Sequence, residues 1–455
     1  MASAAEQMAA NLSWSAFGKA TELRQRILFT IGLLIVFRVG TYIPVPGIDG
    51  QALRDFVEQA QAGIGGMLNM FTGGAIGRMG VFALGIMPYI SASIIVQLLA
   101  SMVPALEQLK KEGEQGRKKI NQYTRYGTVA LAAFQAYGLA VSLEAGNLVH
   151  DPGFFFRAST VITLVGGTMF LMWLGEQITQ RGVGNGISLI IFVGIVANIP
   201  AAMAQFFAQG RSGALSPAAI ILVLLVVVAT ITFVVFMEMA LRKIHIQYPR
   251  RQVGMKIYDG GSSHLPIKVN PAGVIPAIFA SSLLLLPTTI ATFSGSQTGP
   301  IMSTLLAYFG PGQPLYLLFY AAMIVFFAYF YTHNVSFKVD DVADNLKKQN
   351  GFVPGIRPGK RTAEYLEYVV NRVLVIGSGY LAAVSLLPEF LRAELGIPFY
   401  FGGTSVLIVV SVTMDTVNQI QSHLLAHQYE GLIERSRLGG KRKGTKAKRK
   451  GTARR

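Results

Sequence analysis

The sequence predicts an all-α polytopic membrane protein with about ten transmembrane helices. Of its 455 residues, 52% are hydrophobic and only 14% are charged, whereas soluble domains carry about 25% charged residues. Apolar runs recur along the chain at or near the roughly 20 residues that a helix needs to cross a bilayer. The basic residues between these runs lie in alternate loops, as expected of a chain that crosses a membrane repeatedly.

Ten apolar runs account for most of the chain. Their approximate bounds are Ile27–Tyr42, Ala75–Ala100, Tyr123–Ser142, Ser159–Ile178, Ile187–Phe207, Ala218–Met239, Pro271–Thr292, Leu315–Tyr331, Tyr368–Leu387 and Phe401–Leu424, here called spans 1 to 10. The even division near residue 210 allows two five-helix halves of opposite orientation, residues 1–210 and 211–425, followed by a basic tail at 426–455. Inverted repeats of this kind are common in membrane transport proteins.

The stretch from Gly63 to Ala100 contains a break. Its first apolar piece, Ile64–Phe71, is too short to cross a bilayer, and Thr72-Gly73-Gly74 separates it from span 2. Irregular backbone at membrane depth persists only where protein or a water-filled cavity satisfies its amides. The pattern therefore predicts a re-entrant or plug-like element, with an interfacial helix on the outer surface as the alternative.

Lysine and arginine set the predicted orientation. They concentrate after spans 2, 6 and 8 and in the tail, whereas the loop at 293–312 has no charged residue. By the positive-inside rule, the basic loops and both termini lie on the cytoplasmic side.

Several function classes are disfavoured by what the chain lacks. It has no cysteine, which excludes disulfides and thiolate metal sites. The spans contain few ionisable residues, and ion-coupled carriers usually place such residues at mid-membrane. No spacing typical of a metal or nucleotide site occurs. We therefore expect a passive protein that is not an enzyme and has no cofactor.

Isoleucines recur at helical spacing inside the spans. Ile86 and Ile90 are four residues apart in span 2, and Ile187 and Ile191 repeat that spacing in span 5. Such residues normally face lipid or pack in a core. A hydrophobic constriction that dewets and blocks ions is the alternative interpretation.

Two cytoplasmic loops are unusually long. In the first, KIHIQYPRRQ and LPIKVN alternate apolar and polar residues around Gly260-Gly261, which predicts a hairpin. In the second, Pro354-Gly355 and Pro358-Gly359 bracket Arg357 on a tight turn. Ordinary positive-inside charge explains the basic residues, but long structured basic loops also suit the docking of a large acidic partner.

With these residues in view, the chain closely resembles the SecY family, the channel subunits of the bacterial Sec protein translocase. Seven segments carry the resemblance: RVGTYIPVPGID (38–49), GIMPYISASIIVQLL (85–99), KKEGEQGRKKINQYTRYGT (110–128), GTMFLMWLGEQITQRGVGNGIS (167–188), HLPIKVNPAGVIPAIFASS (264–282), ADNLKKQNGFVPGIRPGKRTAEYL (343–366) and PFYFGGTSVLIVVSVTMD (398–415). They occur in order from about Glu22 to Glu430, and nothing is carried onto the tail after about Leu438.

The resemblance implies a fold, a function and sites. The two inverted halves would enclose an hourglass pore with a lateral gate between spans 2 and 3 on one side and spans 7 and 8 on the other. The pore ring would be Ile86, Ile90, Ile187, Ile191, Ile278 and Ile408, and the plug would include Ile64, Met67, Leu68, Asn69, Met70, Phe71, Thr72 and Gly73. Candidate polar gate residues are Gln97, Ser281 and Ser282, and the SecA- or ribosome-binding residues would be Arg250, Arg251, Lys256, Arg357 and Lys360.

The resemblance also implies partners and a location. The expected partners are the SecE and SecG subunits, the SecA ATPase, the ribosome, signal sequences, nascent chains and membrane lipid. The expected location is the bacterial inner membrane, with both termini cytoplasmic. Two other classes remain as rivals: a secondary transporter of small solutes and a membrane scaffold or insertase without an aqueous pore.

Overall fold

A helix occurs in each of the ten predicted spans in the computed structural model. The structure describes residues 21–50, 53, 72–213, 216–249, 251–253, 256–258, 261–293, 313–395 and 403–424. Its helices are α1 (Thr21–Gly40), α2 (Met87–Met102), α3 (Pro104–Lys111), α4 (Glu114–Ala145), α5 (Phe154–Arg181), α6 (Gly186–Arg211), α7 (Pro217–Met239), α8 (Ile275–Phe293), α9 (Pro314–Tyr331), α10 (Val339–Lys348), α11 (Lys360–Leu395) and α12 (403–424).

Length and apolar composition qualify six helices in the described part of the chain as membrane spans. These are α4, α5, α6, α7, the helical segment Pro314–Lys348 that begins with α9, and residues Lys360–Pro388 of α11. Helices α2 and α3 form a bent pair, which raises the number to seven if the pair counts as one span. Helices suit this environment because their backbone groups are hydrogen-bonded within the segment, away from water.

Span 2 begins differently from the prediction. Residues 72–86 form a series of turns, and α2 starts only at Met87. Gly73, Gly74 and Gly85 have φ angles of 69°, 85° and 56°, which an α-helix cannot contain. Gly80 pairs with Pro44 in an isolated β-bridge. The expected helix from Ala75 is therefore wrong, because these glycines accommodate a compact irregular segment.

The described residues form two compact units. The first contains 21–37, 173–190 and 412–424, and the second contains 38–172 and 191–411 except for the residues outside the description. The first unit consists of helix ends that pack together. The predicted division of the chain into two halves at residue 210 stays a prediction.

The first unit joins the ends of α1, α5 and α12. Leu23, Val183 and Leu424 form its buried core. The Val183 amide donates to Thr30 Oγ1 at 3.0 Å, and the Gly184 amide donates to Gln419 Oε1 at 2.8 Å. These side-chain acceptors satisfy backbone donors in the loop between α5 and α6, where no helical partner exists.

In the second unit, small residues allow helices to approach closely. Thr124, Thr128, Ala132, Ala136 and Ala140 are buried at four-residue intervals along α4. Helix α2 packs against α4, and α8 packs against α2, α4 and α9. Stripes of small residues are typical of membrane helix interfaces because they let backbones come together.

A β-structured cap follows α7 in the same unit. Strand β1 (Leu241–Gln247) pairs antiparallel with β4 (Ser262–Lys268), and the short strands β2 (Arg251–Val253) and β3 (Lys256–Tyr258) pair with each other. The predicted hairpin is thereby confirmed. Its inner face contributes to a buried cluster with α10, α11 and their connection: Ile244, Ile246, Ile267, Leu346, Val353, Leu366 and Val370.

Candidate functional site

Four of the six predicted pore-ring isoleucines are buried inside the protein. Ile86 and Ile90 lie one turn apart at the start of α2, where the Ile90 amide donates to the Ile86 carbonyl at 3.1 Å. Their exposed fractions are 5% and 6%, and those of Ile191 and Ile408 are 7% and 0%. Burial removes these four from the lipid-facing class and leaves core packing and a pore collar as the two interpretations.

The other two isoleucines are half-buried. Ile278 lies in the first turn of α8, and Ile187 is the second residue of α6 and belongs to the first compact unit. Partial exposure is expected of side chains that line a constriction, since one side borders the opening. The pore ring itself remains a prediction, because burial alone does not distinguish a collar from a core.

The hinge of the predicted plug is well defined. Gly73 and Gly74 both have positive φ, and a Cβ on Gly73 would lie 3.3 Å from the Gly194 Cα on α6. Thr72 is buried. The remaining predicted plug residues, Ile64 and Met67 to Phe71, lie outside the described residues, so the plug itself stays a prediction.

Arg38 at the end of α1 holds this hinge. Its Nη1 donates to the Gly73 carbonyl at 2.6 Å, and its Nη2 donates to Tyr42 Oη at 3.0 Å. The guanidinium of Arg78 lies 4.1 Å from the centroid of the Tyr42 ring, within the range of a cation–π interaction. The sequence does not indicate the contact with the hinge, because Gly73 lies 35 residues from Arg38 in the chain.

The predicted lateral gate corresponds to a packed seam. Helix α8 contacts both α2 and α4, which joins the two sides that the resemblance assigns to the gate. These helices are in contact in the described residues, and the gate role of the seam stays a prediction.

The three predicted gate residues do not bridge the seam. Gln97 Nε2 donates to Ser93 Oγ at 3.0 Å within α2, and Ser281 Oγ donates to the Ile278 carbonyl at 2.9 Å within α8. Gln97 Oε1 and Ser282 Oγ are buried and have no hydrogen-bond partner. Burying a polar atom without a partner costs about 1–3 kcal/mol, so each of these two atoms destabilises the packing around it.

A polar network lies at the start of α8 and was not predicted from the sequence. Asn270 is buried, and its Nδ2 donates to Glu238 Oε1 and to the Gly273 carbonyl, both at 3.0 Å. Tyr380 Oη donates to the same Glu238 oxygen at 3.1 Å. The network ties the end of α7, the start of α8 and α11. A charged residue such as Glu238 in an apolar run indicates a polar contact inside the protein, but nothing in the sequence indicates which residues it contacts.

The predicted docking residues lie on the β-structured cap and its neighbouring loop. Arg357 is exposed, and Gly355 and Gly359 on either side of it have φ angles of 82° and 103°, which confirms the tight turn. Lys360 is exposed at the start of α11. Only the backbones of Arg251 and Lys256 are described, in β2 and β3, and Arg250 lies outside the described residues. The docking role stays a prediction.

A cavity of about 640 Å³ lies beside this turn. Its lining includes charged residues of both signs: Glu107, Lys110, Lys338, Asp340, Asp341, Lys360, Glu364 and Glu367. Lys110 Nζ donates to the Asn334 carbonyl at 2.9 Å, which joins α3 to the short π-helical turn Thr332–Ser336 after α9. Burial and the nearby Lys338 charge lower the pKa of Lys110.

The sequence is similar to known proteins along most of its length. The SecY family model matches residues 80–417. The protein translocase subunit SecY of Escherichia coli K12 is 53% identical over 431 residues, which cover 94% of this chain and 97% of the relative. The SecY subunit of Rickettsia typhi is 53% identical over 424 residues, covering 92% and 98%.

Solved structures share the fold at much lower identity. One, described as a protein conducting channel, has a TM-score of 0.65 at 18% identity and covers 88% of this chain and 92% of its own. The Sec61 channel of a canine ribosome-channel complex has a TM-score of 0.62 at 18% identity, with the same coverage. At this identity the likeness shows the fold alone.

Proposed function

The chain belongs to the SecY family, and from that membership we propose that it is the central pore-forming subunit of a Sec translocon. In this role it is a passive protein-conducting channel, not an enzyme. Unfolded chains cross the membrane through it, and sufficiently apolar segments leave sideways into lipid. SecA or the ribosome supplies the driving force.

The observation that carries this proposal is the burial of aliphatic side chains at the predicted collar. An unfolded polypeptide presents every side-chain type, so a site with directional hydrogen bonds would trap some sequences. Branched aliphatic side chains offer no such bonds, and a narrow ring of them dewets and holds back ions. Ile86, Ile90, Ile191 and Ile408 would supply such a surface in the proposed pore.

The hinge and the seam support the remaining parts of the mechanism. Arg38 and the double glycine anchor the C-terminal end of the segment that would act as a plug. The seam of α8 against α2 and α4 would be the lateral exit. A 20-residue apolar helix gains up to tens of kcal/mol on entering lipid at roughly 25 cal/mol per Å². That gain allows partitioning to sort signal sequences once the seam opens.

The proposed assembly follows the same reasoning. The exposed cap and the Arg357 turn would dock SecA or the ribosome, SecE would clamp the two halves, and SecG would be peripheral. The occurrence of a channel of the same fold in a ribosome complex supports the ribosome as a docking partner. The protein would lie in the bacterial inner membrane with both termini in the cytoplasm.

Ion conductance tests the collar. Replacing the six predicted ring isoleucines with glycine should raise the conductance of reconstituted bilayers by on the order of tenfold, because the gap no longer dewets. A matched control replaces three exposed isoleucines with glycine and should leave the conductance unchanged. These three are Ile162, Ile221 and Ile376. A sealed bilayer with the folded six-glycine variant would rule out the collar.

The same recordings separate the rivals. A scaffold or insertase without an aqueous pore would show no channel openings in any variant. A secondary transporter would instead move small solutes without a cytosolic motor, and uptake assays with radiolabelled solutes detect that activity.

A further inference from the structure

Two histidines face each other across the strands of the cap. His245 in β1 pairs with His264 in β4 in the antiparallel register. Their ring centroids are 5.1 Å apart and the rings are tilted by 58°. His264 is exposed and His245 is half-buried. Nothing in the proposed channel function uses this pair.

The hydrogen-bond pattern explains why the rings are close. The Tyr248 amide donates to the Gly261 carbonyl and the Val269 amide to the Ala240 carbonyl, both at 3.0 Å. Bonded pairs alternate with non-bonded pairs along an antiparallel ladder, so His245 and His264 form a non-bonded pair. Side chains come closest at such pairs, where the Cα atoms are about 4.5 Å apart.

The platform under the histidines is rigid. Ile244, Ile246 and Ile267 point to the opposite face and are buried in the cluster with α10 and α11. Gln247 also exchanges backbone hydrogen bonds with Phe352 at 2.9 and 3.0 Å, which ties β1 to the connection before α11. Ordering the two imidazoles therefore costs little further entropy when a ligand binds.

We propose that His245 and His264 form a binding site for a divalent transition-metal ion of the zinc class. Metal–nitrogen distances of about 2.0–2.1 Å at a tetrahedral ion place two imidazole centroids roughly 5 Å apart, which matches the observed separation. Neutral imidazole favours zinc, copper and nickel over magnesium or calcium, which prefer oxygen ligands.

The site is open to further ligands. The described residues contain no group of three or more His, Asp or Glu residues placed to hold a metal, so water or a docked partner supplies the other ligands. Lys243 lies two residues from His245 on the same strand face, and its positive charge opposes a bound cation. The inference depends on the hairpin geometry and goes beyond the proposed channel function.

Metal titration of the untagged full-length protein in detergent tests the proposal. Calorimetry with Zn²⁺ should show one ion per chain, and electron paramagnetic resonance with Cu²⁺ should show two coordinated imidazole nitrogens. His245→Gln and His264→Gln should each weaken binding by roughly 10- to 100-fold, because each removes one arm of the chelate. Lys243→Gln should strengthen it.

His423→Gln is the matched control. It disrupts the other closely spaced histidine pair in the sequence, His423 and His427, and should leave Zn²⁺ affinity unchanged. Circular dichroism verifies that each variant is folded. The proposal is overturned if neither hairpin variant weakens binding, if His423→Gln abolishes it, or if the folded wild-type protein binds no Zn²⁺.

Discussion

At the scale of single residues, Glu144 shows how a charge is held at the end of a membrane helix. Its side chain is 8% exposed, and its Oε2 lies 2.6 and 2.7 Å from the Nη2 and Nε atoms of Arg157. Its Oε1 accepts a hydrogen bond from the Gly153 amide at 3.0 Å. The hydrogen bonds from Arg157 lower the pKa of this carboxyl, with burial opposing the shift.

The lowered pKa predicts how stability depends on pH. Because the carboxyl has a lower pKa folded than unfolded, its contribution is complete above the ordinary value of about 4.5 and is lost as pH falls through the folded-state pKa. Glu144→Gln should lower the Tm at neutral pH by about 2–4 °C. The difference from wild type should shrink as the buffer is acidified, as measured by thermal melts across pH.

Glu22 supplies the control for this prediction. It forms an exposed pair with Arg26 at 2.9 Å, and its side chain is 74% exposed. Such surface pairs contribute little, so Glu22→Gln should leave the Tm nearly unchanged. Equal effects of the two substitutions would contradict a special role for the Glu144 pair.

At the scale of elements, the connection before α11 presents one cation on a stiff turn. Pro354-Gly355 and Pro358-Gly359 flank Arg357, and Thr362 Oγ1 donates to the Arg357 carbonyl at 2.9 Å. Val353 anchors the connection in the buried cluster of the cap. The guanidinium is thus displayed from a preorganised backbone, which reduces the entropy lost when a partner docks.

Charge reversal on this turn should impair docking. Arg357→Glu should reduce SecA-driven translocation into membrane vesicles by roughly tenfold or more, as expected of an interface hot spot. Lys348→Glu is the matched control, because Lys348 is exposed at the end of α10 in the same cap. Normal transport by the folded Arg357 variant would remove this residue from the mechanism.

At the scale of the whole molecule, the proposed lateral exit would require a seam between helices that can open. Helix α8 is packed against α2 and α4, and Gln97 Oε1 on α2 and Ser282 Oγ on α8 are buried without hydrogen-bond partners. Opening the seam would let both atoms find water or a polar group of an entering chain. The cost of burying them therefore biases the proposed gate toward opening.

Removing these polar atoms should stabilise the closed seam. Combining Gln97→Leu with Ser282→Ala should raise the hydrophobicity that a signal sequence needs, so that weakly apolar signals are exported several-fold less well. Export of a graded signal-sequence series measures this threshold. Ser281→Ala is the control, since that hydroxyl is already bonded within α8. An unchanged threshold in the double variant would exclude these atoms from gating.

The sequence by itself determined the ten apolar runs in which helices occur and the hairpin, because burial in lipid demands long apolar runs and a two-stranded ladder demands alternating residues. It also pointed to the turn around Arg357, since Pro-Gly pairs specify turns locally. Only the tertiary structure showed that α2 starts at Met87, that Arg38 holds Gly73, and that Asn270 and Tyr380 share Glu238. These features depend on contacts between residues far apart in the chain. Local propensity cannot encode such contacts, because they exist only after the helices have packed.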